Sequence, residues 1–564
     1  MRVEGMDILS KNTINIRLEN RYAARWRAYT SGKSKIWIRG TIFFEDRFYR
    51  EYASPAPFTR IASLLDDVNQ DDFGILLNQL NGFFAVVIQQ DNTVFAAVDR
   101  VRSIPLFYGE AKGQVFLSDD AEWIRRSVGD TEIDPFARQE FLFTGYVTGR
   151  ETLFPRISQL QAGELLLINS GKDAPKLNTH RYYRFLHTEP ECPVDEESLL
   201  MQLDFIAEKS VQRLIDYADG RQIVVPLSAG YDSRLIVTLL RRLGYEHVLT
   251  FSYGATGNHE SLISKAVAES LNYPWEFVKY SNSLWRTWWN TKERIEYQWW
   301  ASEWSSLPVF QDWPAVWQLR QAGKLKQEAV FVPGHSGDMV SGSHIPKNAE
   351  PGKNASLDDL VQSLVSRHNL TPWNRNSIER FNKWYARIIY CTEVTTVKRG
   401  EDFANWVEKW DWQERQAKFI INSSRAYEFW GYDWYLPLWD RDFMFFWQRI
   451  PLRLRKEQSL YIRLVEKLYE DQCVQLGRTP VRLRGKQIVS IPTLRHYIQK
   501  SPIGTSLIKA YRLYNYIVNY YTHPLRWYGI QDFKGHIKVR TNTININSTL
   551  VLLYFPDVAK RNIM

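Results

Sequence analysis

Two short stretches carry residues whose types and spacing point to chemistry on a phosphate. The first is Ser228-Ala229-Gly230-Tyr231-Asp232-Ser233, directly after the apolar IVVPL and directly before a helical pattern. Small residues let the backbone approach a phosphate closely. The first turn of the helix offers unpaired N–H groups and a partial positive charge to it. This is not a Walker A loop, since no GxxxxGK[ST] occurs. Taken alone, it is first of all an ordinary tight strand-to-helix turn. The second stretch, Gly334-His335-Ser336-Gly337-Asp338, also follows an apolar strand. Two such turns at matching strand ends favour the functional reading. Asp232 and Asp338 would then share a Mg²⁺ on the phosphates of ATP, a hard cation on oxygen ligands.

The pattern around the turns predicts what positions them. Glu196–Ala218 reads as a helix. It is followed by the strand RQIVVPL, the helix SRLIVTLLRRLG, the strand HVLTFSYG, the helix HESLISKAVAESLN, the strand WEFVKY and a later strand at Ala329–Val332. This alternation predicts a parallel sheet with crossover helices, whose ligands sit at the carboxyl ends of the strands. Beyond about Leu357 the chain reads as mostly helical.

Up to about Ser170 the pattern differs. KIWIRGTIFF, GFFAVVIQQ, TVFAAVDR, QVFLSDD and GELLLINS read as strands, with helices near Thr59–Val68 and Pro135–Thr144. That predicts a layered α+β domain. The polar GKDAPKLNTH, running on through HTEPECPVDEE, reads as a linker. The expected division is residues 1–175, residues 195–495 and a basic, aromatic extension over 496–564.

The chain has 564 residues and a formal charge of +9, a mild excess at this length. It suits an anionic substrate such as ATP, and equally nucleic acid or anionic lipid. Cys192, Cys391 and Cys473 lie far apart without CxxC spacing, which suggests neither a zinc site nor a disulfide framework. With no apolar h-region at the start and no membrane-length apolar run, the expected compartment is the cytoplasm. Tryptophans crowd between Trp285 and Trp317. They read either as helix-packing core or as the lining of a substrate pocket.

These segments together resemble the asparagine synthetase family. PLSAGYDSRL is similar to that family's pyrophosphate loop, and FSYGATGNHESLISKAVAESL to the segment that follows it. VPGHSGDM resembles the second phosphate and magnesium turn. RAYEFWGYDWYLPLWDRDFMFFWQRIP resembles the C-terminal segment, and RLRGK the R-x-K near the end. LNGFFAVVIQQDNTVFAAVDRVRSIPLFYG and GYVTGRETLFPRISQLQAGELLLI look like the glutaminase domain. The resemblance runs from about Lys35 to Pro492.

The resemblance implies an Ntn-hydrolase-like α+β sandwich, then an α/β parallel-sheet ATP pyrophosphatase domain with a helical C-terminal region. It also implies a Mg-ATP-dependent ligase that adenylates a carboxylate, releases pyrophosphate and forms an amide. By motif, Ser228, Ala229, Gly230, Tyr231, Asp232 and Ser233 form the pyrophosphate loop. Leu227, Tyr253, Pro333 and Gly334 contact the nucleotide, Asp232 and Asp338 hold Mg²⁺, and Lys486 steadies charge in the transition state.

Departures from the family pattern shape the rest. Position 2 is Arg2 where a working glutaminase needs cysteine, and no cysteine precedes Cys192. The glutamine clamp falls at Arg39-Gly40-Thr41 and is lost, while Asp99 survives, as a retained family residue or only as a structural one. An inactive N-terminal domain follows. In the second turn the family glutamate falls at His335 and the last acid at Met339. His335 is a candidate base toward an amine or equally a turn residue, and Glu428 is the next candidate base.

The expected partners are a small-molecule, peptide or sugar carboxylate and an ammonia or amine donor. Nucleic acid is not expected. Two alternatives stay open: a non-catalytic ATP-binding scaffold, and a ring closer of the β-lactam or lasso-peptide type. The extension, with SLIKAYRLYNYIVNYY, reads as a packed helix, or as an interfacial one that meets a membrane surface or a partner enzyme.

Overall fold

The computed structural model describes residues 5–11, 13–23, 25–44, 47–49, 61–66, 68–170, 174–192, 194–367, 378–481, 513–541 and 546–556. In the N-terminal domain a larger and a smaller sheet lie face to face. The larger runs, in spatial order, Lys176–Arg181, Glu164–Asn169, Thr93–Val98, Asn81–Gln90, Ser34–Phe44 and Arg27–Ser31, with Arg47–Tyr49 also paired to Ser34–Phe44. The smaller runs Gly5–Lys11, Ile14–Glu19, Gln114–Ser118, Phe107–Ala111 and Ile157–Gln159.

Period-two alternation gives the larger sheet two apolar faces. Trp37, Ala85, Val87, Val94 and Ala96 share a core with Ile14, Ile16 and Leu117 of the smaller sheet. On the opposite face Phe95 meets Phe73 of the helix Gln70–Gln79, ring centroids 5.7 Å apart. The helix Ala121–Val128 covers the outside of the smaller sheet, so closely that a Cβ on Gly109 would lie 2.9 Å from Ile124. The layers are helix, sheet, sheet, helix, the expected α+β sandwich.

One boundary differs from the sequence reading. Lys176–Arg181, inside the expected linker, is an edge strand paired with Glu164–Asn169. Its polar residues alternate between exposed and half-buried, as an edge strand allows. The sandwich therefore extends past residue 175. The helices Pro135–Thr144 and Glu196–Ala218 occur with the expected bounds, each started by an aspartate, Asp134 and Asp195, whose side chain accepts first-turn amides.

The second domain is built on five parallel strands in the order Trp275–Lys279, Val248–Gly254, Ile223–Pro226, Val330–Phe331 and Asp433–Trp434. The helices Tyr231–Arg242 and His259–Ser270 make the crossovers, and the later chain is mostly helical. Within it Asp411–Ile420 is wound as a π-helix, a rare form that recurs at functional sites. The tryptophans of the crowded stretch are largely core, with Trp285, Trp288, Trp289, Trp300 and Trp313 all buried. No helix among the described residues is long and apolar enough to cross a membrane.

Candidate active site

The two turns meet at the carboxyl edge of the parallel sheet. Ser228 to Asp232 links the strand Ile223–Pro226 to the helix Tyr231–Arg242. The Ser228 amide donates to Ser233 Oγ (3.1 Å), and the Gly230 amide to Ser228 Oγ (3.1 Å). Gly230 starts the helix, and no side chain caps its first turn, in contrast to Asp134, Asp195 and Asn258 at other helix starts. Its amide dipoles remain directed at whatever occupies the turn.

The neighbouring strand Val330–Phe331 leads into Pro333 and the second turn. Gly334 packs so close that a Cβ there would lie 2.6 Å from the Ser233 nitrogen, and one on Gly337 would lie 2.8 Å from Asp232 Oδ1. Ser336, at φ +68°, turns the chain so that the Asp338 amide donates to Asp232 Oδ2 at 2.9 Å. Tyr461 donates its hydroxyl to Asp232 Oδ1 at 2.9 Å.

Burial, then the negative charge of Asp338, pushes the Asp232 carboxyl up to about 8. Asp338 keeps 48 % of its side chain accessible. Burial opposes its charge, but the His344 partner holds its carboxyl below the ordinary range. His344 Nε2 lies 3.5 Å from Asp338 Oδ2, and its Nδ1 lies 2.6 Å from Asp411 Oδ2, on the π-helix. That helix also accepts from Ser336 Oγ through Gln416 Oε1 at 2.6 Å.

These residues fit a magnesium ion on a polyphosphate. Two adjoining carboxylates that repel each other are relieved by a divalent cation. Among the described residues no group of three or more His, Cys, Asp or Glu could hold a metal, so the remaining ligands would be phosphate oxygens and water.

On the nucleotide side, Leu227 and Pro333 are buried beside the turns. Tyr253 stacks on Tyr280 with centroids 5.0 Å apart and donates its hydroxyl to Asp312. Asp312 also accepts the hydroxyl of Tyr427. His335 has Ser423 Oγ at 3.3 Å from both ring nitrogens, a placement that fixes neither tautomer. Burial lowers its pKa, against the raising effect of Asp312 and Asp338, so the ring is neutral at pH 7.

Lys486 lies outside the described residues. Of the expected residues that the structure describes, one is not in this group. Glu428 is placed against the role of alternative base: its Oε2 accepts from Arg39 (3.0 Å) and its Oε1 from Trp434 Nε1 (2.9 Å), so both oxygens are engaged at the domain interface. Arg39 stands where the glutamine clamp was expected. It is 5 % exposed and also reaches Asp119 at 3.3 Å. Asp99 accepts the amides of Phe84, Val101 and Ser103 and the Ser103 hydroxyl, and so ties down its own turn.

Asp312, Tyr461, His344 and Asp411 carry no signal in the sequence that marks them for the site. Asp312 precedes Trp313-Pro314 and looks like a helix start, and Tyr461 has no periodic signature. His344 lies only six residues beyond Asp338, but nothing marks it as that residue's partner.

The sandwich followed by a parallel sheet is the fold of an amidotransferase-like domain followed by an ATP pyrophosphatase-like one in a single chain. The family model described as glutamine amidotransferase domain matches residues 72–183, and the one described as asparagine synthase matches 208–467. Together they give the chain the architecture of the asparagine synthetase family.

Among solved structures, one that is similar is the NH3-dependent NAD synthetase from Campylobacter jejuni subsp. jejuni NCTC 11168 in complex with the nitrate ion. It is 16% identical, with 26% of this chain and 60% of that chain covered and a TM-score of 0.18. Another is the glutamine phosphoribosylpyrophosphate amidotransferase from B. subtilis complexed with ADP and GMP. It is 11% identical, with 63% and 74% covered and a TM-score of 0.18. This chain thus spans 60% of the length of the NAD synthetase. No curated protein matches it.

Proposed function

We propose that the chain is an ATP-dependent carbon–nitrogen ligase that adenylates a carboxylate, releases pyrophosphate and passes the acyl group to ammonia or to an amine of the substrate. The observation that carries this reading is the contact of the two turns, with Asp338 hydrogen-bonded through its amide to the Asp232 carboxylate at the carboxyl edge of the sheet.

In this mechanism the Ser228 to Ser233 turn and the uncapped helix start hold the departing pyrophosphate. Asp232 and Asp338 would hold Mg²⁺, which neutralises phosphate charge and polarises the α-phosphorus. The substrate carboxylate attacks that phosphorus, and the bond to pyrophosphate breaks. Leu227, Tyr253, Pro333 and Gly334 line the nucleotide, and Lys486 is assigned the transition-state charge.

His335 acts in the second half-reaction. Adenylation needs no base, because a carboxylate is already ionised at neutral pH. Amide formation does need one, and a neutral imidazole accepts the amine's proton. His335→Gln should still release pyrophosphate in a first burst, while single-turnover amide formation falls by about 10²-fold. Because burial lowers the His335 pKa, protonation of the base should set in only below the ordinary imidazole value of 6.5, so that above it the amide step follows only the free-base fraction of the amine. Equal loss of pyrophosphate and amide would place His335 in nucleotide binding instead.

The N-terminal sandwich serves as structure. Its clamp position is taken by Arg39, which is engaged with Asp119 and Glu428. Glutamate release from glutamine by the purified protein should stay at background, and clear turnover would restore the domain to catalysis. Leu513, Tyr514, Ile517 and Tyr521 form an exposed stripe on the helix at 513–522, the face through which the extension would meet a membrane surface or a partner enzyme.

A further inference from the structure

The loop Gly254 to Asn258 joins the strand Val248–Gly254 to the helix His259–Ser270 at the same sheet edge as the phosphate turns, directly after Tyr253. Gly254 has φ +131°, and a Cβ there would come within 2.9 Å of the Pro524 carbonyl oxygen. The next amide, Ala255 N–H, donates to that carbonyl at 2.6 Å. A loop amide beside the nucleotide strand thus takes its partner from the distant C-terminal extension.

The Pro524 carbonyl is itself firmly seated. Trp285 Nε1 donates to the Leu525 carbonyl (2.7 Å), and Asn282 Nδ2 to the Tyr520 carbonyl (3.1 Å). Gly529 lies so close to the helix Asn282–Trp289 that a Cβ would fall 2.3 Å from the Asn282 Cα. Trp285 stands edge-on to Tyr280 at 5.5 Å, and Tyr280 stacks on Tyr253 at 5.0 Å. The same stretch of the extension therefore sets both the Ala255 amide and the aromatic wall behind Tyr253.

The far end is anchored on both domains. Tyr554 stacks on Trp289 at 4.6 Å, Asn547 Nδ2 donates to the Thr144 carbonyl (2.8 Å), and Ser548 Oγ donates to the Leu142 carbonyl (2.8 Å).

We propose that the C-terminal extension is a positioning element for ATP, holding the loop beside Tyr253 through the Pro524 carbonyl. This rests on the adenylation reading above. The extension touches no reacting atom. Its effect is on nucleotide affinity, with the chemical step left nearly alone.

The test uses the full chain and ATP itself, titrated calorimetrically. Gly529→Ala pushes the extension off the helix Asn282–Trp289 without altering any residue assigned to the site. It should weaken ATP binding by about tenfold, while the adenylation rate at saturating ATP changes by less than about twofold. Trp285→Phe, which removes the indole N–H to Leu525 together with part of the ring packed on Tyr280 and Trp288, should weaken binding by at least about threefold, the worth of the hydrogen bond alone. It serves if Gly529→Ala fails to fold. Ser548→Ala, at the distant anchor, should leave ATP affinity unchanged. Unchanged affinity in both Gly529→Ala and Trp285→Phe overturns the positioning role and leaves adenylation standing. Absence of ATP binding by the unaltered chain overturns both.

Discussion

Asp338→Asn is expected to abolish carboxylate-dependent pyrophosphate release, by about 10³-fold or more, and Asp232→Asn to do the same. Each change is nearly isosteric and removes a negative charge assigned to the metal. A lost metal interaction worth several kcal/mol corresponds to about three decades in rate. The fold should survive. In the Asp232→Asn variant one side-chain oxygen remains to accept from either the Tyr461 hydroxyl or the Asp338 amide, so one of these two hydrogen bonds is lost while the other is kept. Burial is the main cause that raises the Asp232 carboxyl, and the repulsion from Asp338 that adds to it disappears with either substitution. Far-ultraviolet circular dichroism separates loss of site from loss of fold. Wild-type pyrophosphate rates in both variants would remove the metal assignment.

Arg39→Met is expected to destabilise the protein by about 3–5 kcal/mol, the cost of leaving a buried charge without its partner. Arg39 is the bridge between the Asp119 carboxylate, on the sandwich, and Glu428, in the synthetase domain. Asp119 keeps two donors, the Glu19 amide and Trp26 Nε1, whereas Glu428 keeps Trp434 Nε1. The double variant Arg39→Met with Glu428→Gln should therefore recover most of the loss, because the uncompensated charge goes with it. Urea unfolding of the single and double variants reads this directly. A shift under about 1 kcal/mol in the single variant would mean that the interface does not depend on the pair.

Much of the architecture is legible in the sequence because its signals are local. The helix Glu196–Ala218 carries its own aspartate cap, and the central strand Ile223–Pro226 is a continuous apolar run. Lys176–Arg181 reads as a linker because an edge strand exposes half of its residues, and its polar sequence matches one. Asp433–Trp434, a two-residue strand, has too few residues for any period to show.

The two turns are legible because each sets small residues and an aspartate directly after an apolar strand, and because there are two of them. Their support is not, because it comes from far along the chain. Tyr461 reaches Asp232 from a helix 229 residues on, and Asp411 reaches His344 from the π-helix. Glu428 reads as a free base for the same reason. Its partner Arg39 is 389 residues away, and only the folded interface shows that the carboxylate is already engaged.

We propose that this chain splits ATP between its α- and β-phosphates on behalf of a carboxylate. The most direct test incubates the purified protein with Mg-ATP and a panel of carboxylic acids, with hydroxylamine present to trap activated acyl groups. The expected products are AMP and pyrophosphate in equal amounts, together with a hydroxamate of one acid, and none of the three in Asp338→Asn. Formation of ADP and orthophosphate instead, or AMP released at the same rate with no acid present, would contradict it.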